Sequence, residues 1–409
     1  MKLAEFEMIV TAPPAPGWGG RYWMLVKLTT ACGITGWGEC YGAAVGPAAM
    51  AAVAADVFAR HMAGESPENL ELMFRRVYSS GFSQRPDPTV MGAFSGLEIA
   101  CWDILGKARD RPVWALMGGR INDRIRAYTY LYPGPGDDPA AFWWDAEANA
   151  RAAARAADAG YTAVKTDPAG PYTIRGGHQP ALSDIARCTA FCAAIRGAVG
   201  DRADILIGTH GQFTAAGAIR LGRALEPFAP AWFEEPVPPD APDAMAEVAR
   251  ALRIPVAAGE RLTTRAEFAA LLRAGAAAIV QPSLGRAGGL WEGRKIAALA
   301  EAFGAQVAPH LYAGPVAWAA SVHLAATLPN LLIVETIDSP FHAALIGHTL
   351  RVEEGHIRPP DAPGLGIAVD EALARAHPWQ GRGLHLEMQE APCDYAAENQ
   401  FAGGAPPEG

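Results

Sequence analysis

Basic clusters are missing from this 409-residue chain: 34 Lys and Arg stand against 43 Asp and Glu, for a formal net charge of -9, and no run of positive charge occurs. Proteins that hold nucleic acid neutralise phosphates with such clusters, so a polyanion is excluded as the expected partner. Also missing is any apolar run of the roughly 20 residues needed to cross a bilayer. The opening MKLAEFEMIVTAPPAP has neither a long apolar segment nor a small-residue cleavage site, so no membrane association and a cytoplasmic location are expected. Cysteine is sparse and scattered, at positions 32, 40, 101, 188, 192 and 393. Cys188 and Cys192 fall one helical turn apart, unlike a zinc-ribbon pair, and the set reads as buried thiols in a reducing compartment. Hydrophobic residues make up 50% and charged residues 19%, which fits a globular protein with a main core and a second domain.

What is present falls into two rhythms. The first forty residues read as the strands LAEFEMIV, RYWMLVKLTT and ITGWGEC, with the Pro/Gly-rich loop APPAPGWGG after the first. Helical patterns follow in GPAAMAAVAADVFARHMA, SPENLELMFRRVY and SGLEIACWDILGKARD, with Ser66 as the expected N-cap of the second and Pro67 at its first position. Together these predict an α+β domain over residues 1–125. Over residues 126–340 a short apolar strand, a turn and an Ala-rich amphipathic helix repeat. Strands are expected at RAYTYL, TAVKTD, DILIGTH, AWFEEP, VAAGE, AAIVQPS, QVAPHL and LIVET. Eight strands alternating with helices predict an α/β fold of the closed parallel barrel type, with reactive groups at the C-terminal strand ends. The alternative, an open doubly wound sheet, lacks its G-x-G-x-x-G after the first of these strands. Residues 341–395 return to loops and short extended pieces, and residues 396–409 read as a mobile tail.

The strand ends carry the chemistry. Lys165 and Asp167, two apart in YTAVKTDPAG, share one strand face at the end of the second barrel strand. The third strand ends in His210, the fourth in Glu234 and Glu235, the fifth in Glu260 and Arg261, the seventh in His310 and the eighth in Glu335. Each alone has an ordinary explanation as an ion pair, a helix cap or a hydrogen-bonded histidine. In a barrel they converge on one mouth, where several acids repel one another unless a cation compensates. Carboxylate oxygens with positions left for substrate and water suit Mg²⁺.

The segments GWGEC, LEIACWDILGKARDRPVWALMGG, WFEEP, GERL, QPSLGRAGG, APHL and PGLG resemble, in order and over residues 1 to 370, the enolase superfamily. Within it the chain is similar to the mandelate racemase and muconate lactonizing enzyme subgroup, especially the galactonate-dehydratase type of sugar-acid dehydratase. The resemblance implies a TIM-like (β/α)7β barrel with a capping domain formed by the N-terminal part and the C-terminal segment, and a homo-oligomer. It also implies a Mg²⁺ that binds the carboxylate of a small acid-sugar substrate, and a base that removes the proton α to that carboxylate to give an enediolate. Carried over by position, it makes Glu234 and Glu260 metal ligands, His310 the base and His210 the general acid. Glu335 would hydrogen-bond the substrate carboxylate, and Lys165 would face that carboxylate or serve as base. Specificity would come from the loops APPAPGWGG and CYGAAVGP, with Trp18, Arg21 and Tyr41 as candidates, and from Arg261. In the loop AGPYTIRGGHQP, Arg175 and His178 either meet substrate or are solvated.

Three positions depart from that pattern. The third-strand metal aspartate, two residues before His210, is Gly208. The sixth-strand aspartate that pairs with the seventh-strand histidine is Ser283. The second lysine of the second-strand pair is Asp167. Asp167, on a strand about 5 Å away, can supply the lost carboxylate, an oxygen donor that hard Mg²⁺ favours. Alternatively His210 coordinates the metal, and is then not free to act as acid. Ser283 leaves His310 without a carboxylate to stabilise its imidazolium, so its pKa is not expected to be raised. The expected function is a Mg²⁺-dependent acid-sugar dehydratase: α-proton abstraction by His310 or Lys165, then loss of the β-hydroxyl assisted by His210, giving a 2-keto-3-deoxy acid. A racemase, epimerase or cycloisomerase would instead use Lys165 and His310 on opposite faces of the α-carbon. A non-catalytic sugar-acid-binding protein would fit the losses at Gly208 and Ser283.

Overall fold

Alternating and β-branched residues at the start of the chain form a three-stranded antiparallel sheet in the order β1 (Leu3–Thr11), β2 (Trp23–Thr30), β3 (Thr35–Cys40). The structure is a computed structural model, and it describes residues 1–42, 44–169, 173, 174, 176–386 and 388. Helices α1 (Pro47–His61), α2 (Leu70–Tyr78), α3 (Pro88–Arg109) and α4 (Val113–Leu116) follow. Asp87 caps α3, its side chain accepting the N–H groups of Thr89 and Val90, and residues Met91 to Gly106 are all buried. Its packing against β3 is glycine-dependent: a Cβ on Gly38 would overlap the Gly96 carbonyl oxygen.

Helix α2 starts later than Ser66 implies. The Asn69 N–H closes back on the Ser66 carbonyl at 3.0 Å, so Ser66 and Pro67 form a separate turn. The buried stripe Leu70, Met73, Phe74 and Val77 then sets where the helix begins.

Parallel strands β4 (Ile125–Tyr130), β5 (Ala163–Thr166), β6 (Asp204–Gly208), β7 (Trp232–Glu234), β8 (Val256–Ala258), β9 (Ile279–Val280), β10 (Gln306–Val307) and β11 (Val334–Thr336) pair in chain order, and β11 returns to β4. The remaining seam is closed by Val307 and Leu331, with the Leu332 N–H bonded to the Val307 carbonyl at 2.8 Å. This is the expected eight-stranded barrel. Between the strands run α5 (Ala146–Asp158), α6 (Leu182–Val199), α7 (Ala215–Leu225), α8 (Pro242–Ala251), α9 (Arg265–Arg273), α10 (Gly289–Ala302) and α11 (Pro315–Ala326). One residue from each strand or its margin fills the interior: Tyr128, Ala163, Leu206, Trp232, Ala257, Ile279, Ala308 and Ile333. Tyr128 and Trp232 meet edge to face at 5.3 Å, so the barrel has a packed floor rather than a channel.

Buried acids of the N-terminal unit fasten it to the barrel. Glu39 accepts the Gly314 and Ala317 N–H groups at the start of α11 (2.5 and 3.0 Å), and Glu98 accepts those of Leu290 and Trp291 at the start of α10 (2.7 and 2.9 Å). A carboxylate at a helix N-terminus satisfies unpaired N–H groups and meets the positive end of the dipole. Asp103 on α3 accepts from the Trp37 N–H on β3 and the Leu365 N–H in PGLG, at 2.9 and 2.8 Å.

After the barrel come α12 (Pro340–Leu345), the hairpin β12 (Val352–Glu353) and β13 (His356–Ile357), and α13 (Glu371–Ala376). The chain then returns to β1, where the Ala12 N–H bonds the His377 carbonyl at 2.7 Å and the Trp379 N–H bonds that of Val10 at 3.2 Å. Among the described residues no helix is long and apolar enough to cross a membrane, and the five described cysteines are free thiols. Cys393, Arg175 and the expected tail at 396–409 lie outside the described residues.

Candidate active site

Strand alternation aims the side chains of β5. Thr166 turns outward, its hydroxyl bonded to Asn149 of α5 at 3.2 Å, while Lys165 and Asp167 turn into the barrel mouth. Lys165 is fully buried, its ammonium bonded to the Glu234 carboxylate and 4.8 Å over the Tyr130 ring. The other Glu234 oxygen accepts the Gln281 amide at 2.8 Å.

The loops after β6 and β7 are interlocked. Thr209 Oγ1 donates to the Glu234 and Glu235 carbonyls at 2.7 and 2.9 Å, and the Gly211 N–H bonds that of Glu235 at 2.6 Å. His210 and Glu235 both adopt left-handed backbone angles, φ 48 and 42, a conformation that costs energy and concentrates at functional sites. The bend sends Glu235 away from the mouth to Arg261, whose Nε donates to it at 2.8 Å. The Arg261 guanidinium, expected to contact substrate, is thus engaged with Glu235.

Glu260, on the turn after β8, lies between two histidines. His210 Nε2 is 3.8 Å from one of its oxygens and His310 Nε2 is 3.6 Å from the other. On its opposite edge, His210 Nδ1 faces Asp167 Oδ2 at 3.8 Å. Glu335 on β11 accepts the Leu311 N–H at 2.6 Å through Oε2. Among the described residues, Glu260 Oε2, Glu335 Oε1 and His310 Nδ1 are buried without a hydrogen-bond partner. Ser283, where an aspartate partner for the histidine would stand, is buried but makes no bond to His310.

Burial and charge set the protonation states. Burial alone would lower the Lys165 pKa, but Glu234, Glu335, Asp167 and Glu260 together raise it above the usual lysine value, so the ammonium stays charged. Burial pushes His310 down to about 3 against the pull of Glu260, which leaves the imidazole neutral at pH 7. Burial raises Glu234 to about 7 and Glu335 to about 8, with Lys165 opposing in both. Glu260 goes the other way: burial raises it, but His310, His210, Lys165 and Arg261 hold it well below the usual carboxylate range.

His210, Glu234 and Glu260 offer ligand atoms that all lie within 4.8 Å of one another. Asp167 stands behind His210, outside this group. A divalent cation fits the donor set. Two glutamates and an imidazole converge there, and Glu260 keeps an oxygen that no hydrogen bond occupies.

The cap closes the mouth with aromatic rings. Trp18 stacks on Tyr132 with centroids 4.1 Å apart, and the buried Tyr41 ring lies 5.9 Å from that of His310, with the Arg286 guanidinium 4.3 Å over it. Arg21 is near enough to Tyr312 and His385 to act on both electrostatically. His178 pairs its backbone with the loop after β6 and packs on Phe213. Tyr132, Gln281, Tyr312 and His385 were not among the expected residues. Gln281 and Tyr312 sit two residues from Ser283 and His310, a spacing that could have flagged them. His385 bridges the carbonyls of Tyr22 and Tyr312 at 2.9 and 2.8 Å, and no local pattern announces it.

The chain matches two family models, "Mandelate racemase / muconate lactonizing enzyme, N-terminal domain" over residues 19–118 and "Enolase C-terminal domain-like" over residues 147–373. It is 35% identical over 363 residues to the D-galactonate dehydratase of Ralstonia nicotianae, spanning 86% of this chain and 90% of that protein. The D-galactonate dehydratase of Variovorax paradoxus is 36% identical over 361 residues, spanning 85% of this chain and 89% of that one. Among solved structures, a mandelate racemase/muconate lactonizing enzyme-like protein from Roseovarius sp. TM1035 is 71% identical, with a TM-score of 0.96 over 97% of this chain and 100% of that chain.

Proposed function

The chain belongs to the enolase superfamily, in its mandelate racemase subgroup, and on that premise we propose that it is a Mg²⁺-dependent dehydratase of acid sugars. It removes the proton α to the substrate carboxylate and expels the β-hydroxyl as water, giving a 2-keto-3-deoxy acid. One observation carries the choice of elimination over racemisation: the chain is 35% identical over 363 residues to a D-galactonate dehydratase. The mouth offers one neutral base, His310, opposite a lysine that its carboxylate neighbours keep charged. In these states His310 can accept the α-proton, and the charged Lys165 can stabilise the negative charge that develops on the carboxylate.

Glu234 and Glu260 would hold the cation, with a third donor from the Asp167 and His210 pair. When bound, it supplies positive charge where the carboxylate gains a second negative charge. Lys165 contributes a fixed positive charge to the same region, in a water-excluded site where such charge is most effective. Glu335, raised to about 8, keeps its proton at pH 7 and can donate a hydrogen bond to the substrate carboxylate while Oε2 accepts from Leu311. His310 takes the α-proton. The departing hydroxyl is protonated from within the mouth, by the His310 imidazolium so formed or by His210. Trp18, Tyr132, Tyr41 and Arg21 line the distal side and set which acid sugar enters.

The test is a panel of hexonates, pentonates and aldarates incubated with Mg²⁺ in D₂O, read for semicarbazide-reactive keto acid and for α-deuterium in recovered substrate. Keto acid from at least one substrate, abolished in His310→Asn, is expected. A stereoisomer carrying α-deuterium without keto acid would replace this reading by racemisation, and binding without either product would refute turnover.

A further inference from the structure

Two of the three sequence departures, Gly208 and Asp167, meet beside His210. Residue 208 is the last of β6, and a Cβ built there would overlap Asp167 Oδ1 and lie 2.8 Å from its Cγ and 3.3 Å from Lys165 Cε. Glycine at 208 therefore does more than lose a carboxylate: it vacates the volume that the Asp167 carboxylate fills. From there Asp167 faces the Nδ1 edge of His210, and the Nε2 edge of the same ring faces Glu260.

We propose that His210 is the third metal ligand, binding through Nε2, and that Asp167 is a positioning residue that holds the ring from Nδ1. This rests on the metal-dependent reading above. Three observations support it. The atoms of His210, Glu234 and Glu260 converge within 4.8 Å, whereas Asp167 is outside the set. Glu260, 6% exposed, turns Oε1 toward His210 Nε2 at 3.8 Å, while its Oε2, on the His310 side, has no hydrogen bond among the described residues. The left-handed backbone at His210 holds the ring between the two carboxylates against an energetic preference for other angles. A ligating histidine characteristically gives its other ring N–H to a carboxylate, which fixes the tautomer and leaves the lone pair on the ligating nitrogen. The site is then one nitrogen and two carboxylates rather than three carboxylates, and the nitrogen shifts preference away from Mg²⁺ toward transition-metal ions. His210 is thereby committed to the metal, and the departing hydroxyl takes its proton from the His310 imidazolium or from Lys165.

The experiment uses Mn²⁺ and Mg²⁺ on the purified full chain, by calorimetry for affinity and by pulsed EPR of the Mn²⁺ complex for ¹⁴N coupling. Wild type should bind Mn²⁺ more tightly than Mg²⁺ and show coupling to one histidine nitrogen. His210→Ala should lose the coupling and narrow the gap between the two ions, while His310→Ala keeps both. Asp167→Asn should retain the coupling but bind about 10-fold or more weakly, the range typical for removing an outer carboxylate partner. Binding without ¹⁴N coupling, or coupling that survives His210→Ala, would overturn the assignment while leaving the metal-dependent reading intact. Failure of either ion to bind would remove that reading as well.

Discussion

Replacing Gly208 by alanine is the smallest change that tests how the mouth is built. The backbone at 208 is not in the left-handed region, so the substitution adds no backbone strain, and its whole effect is the new methyl group. That group overlaps the Asp167 carboxylate, whose side chain is only 5% exposed, and lies 3.3 Å from Lys165 Cε. The carboxylate must swing away. Inserting a methyl into a packed interior costs about 1–3 kcal/mol. The assay is urea unfolding of the metal-free protein at neutral pH for wild type, Gly208→Ala, Asp167→Ala and the double variant. Because Asp167→Ala removes the obstacle, the double variant should recover most of the loss, giving a coupling of about 1–3 kcal/mol where independent sites would simply add. If Gly208→Ala unfolds with wild type, or the two single losses add in the double variant, then Asp167 does not fill the space at 208.

Lys165→Met leaves Glu234 buried without its ammonium partner. Turnover should vanish, and stability should fall by about 3–5 kcal/mol above pH 8. The loss should shrink on acidification as Glu234 takes up a proton, and a pH-independent loss would show that the pair is not coupled. His323 and His342 are held neutral, pushed down to about 4 chiefly by burial; the Trp114 N–H points at His323 Nδ1 from 3.2 Å. Between pH 4 and 6.5 the unfolded chain binds more protons at these sites, so stability is complete above 6.5 and is lost as pH falls, by about 3 kcal/mol per histidine. His323→Asn, which keeps an acceptor for Trp114, should unfold less steeply with acid than wild type; an unchanged pH dependence would refute this. His385→Ala should speed hydrogen exchange at the backbone of Gly19–Trp23 and 311–313 without affecting β5 to β8. Unchanged exchange at both loops would mean the histidine does not bind them together.

The barrel and the convergence at its mouth were legible because both follow from local rules. Alternation in TAVKTD put Lys165 and Asp167 on one face, and the recurrence of acids and histidines at strand ends needed only the closure of the barrel to become a site. Which residue would complete the proposed metal site was not legible. It depends on which of two neighbouring strands fills a gap less than a side chain wide, and that is decided by contacts between residues some forty positions apart. The segments GWGEC and LEIACWDILGK identified the family, yet their reason lay in distant partners. Glu39 and Glu98 cap barrel helices, and Asp103 ties α3 to PGLG. Ser66 misled because a cap followed by proline looks the same whether it opens a helix or closes a turn. His385 gave no signal, since its two carbonyl partners are more than seventy residues away.

The stitching of β1 to His377 and Trp379, and of α3 to Leu365, also has a consequence in time. During synthesis the three N-terminal strands leave the ribosome first, but the segment that covers the free edge of β1 follows only after more than three hundred further residues. An uncovered strand edge is a pairing surface for other chains. The first part of the molecule to be made is thus the last to be finished, and the whole barrel is synthesised while that edge waits.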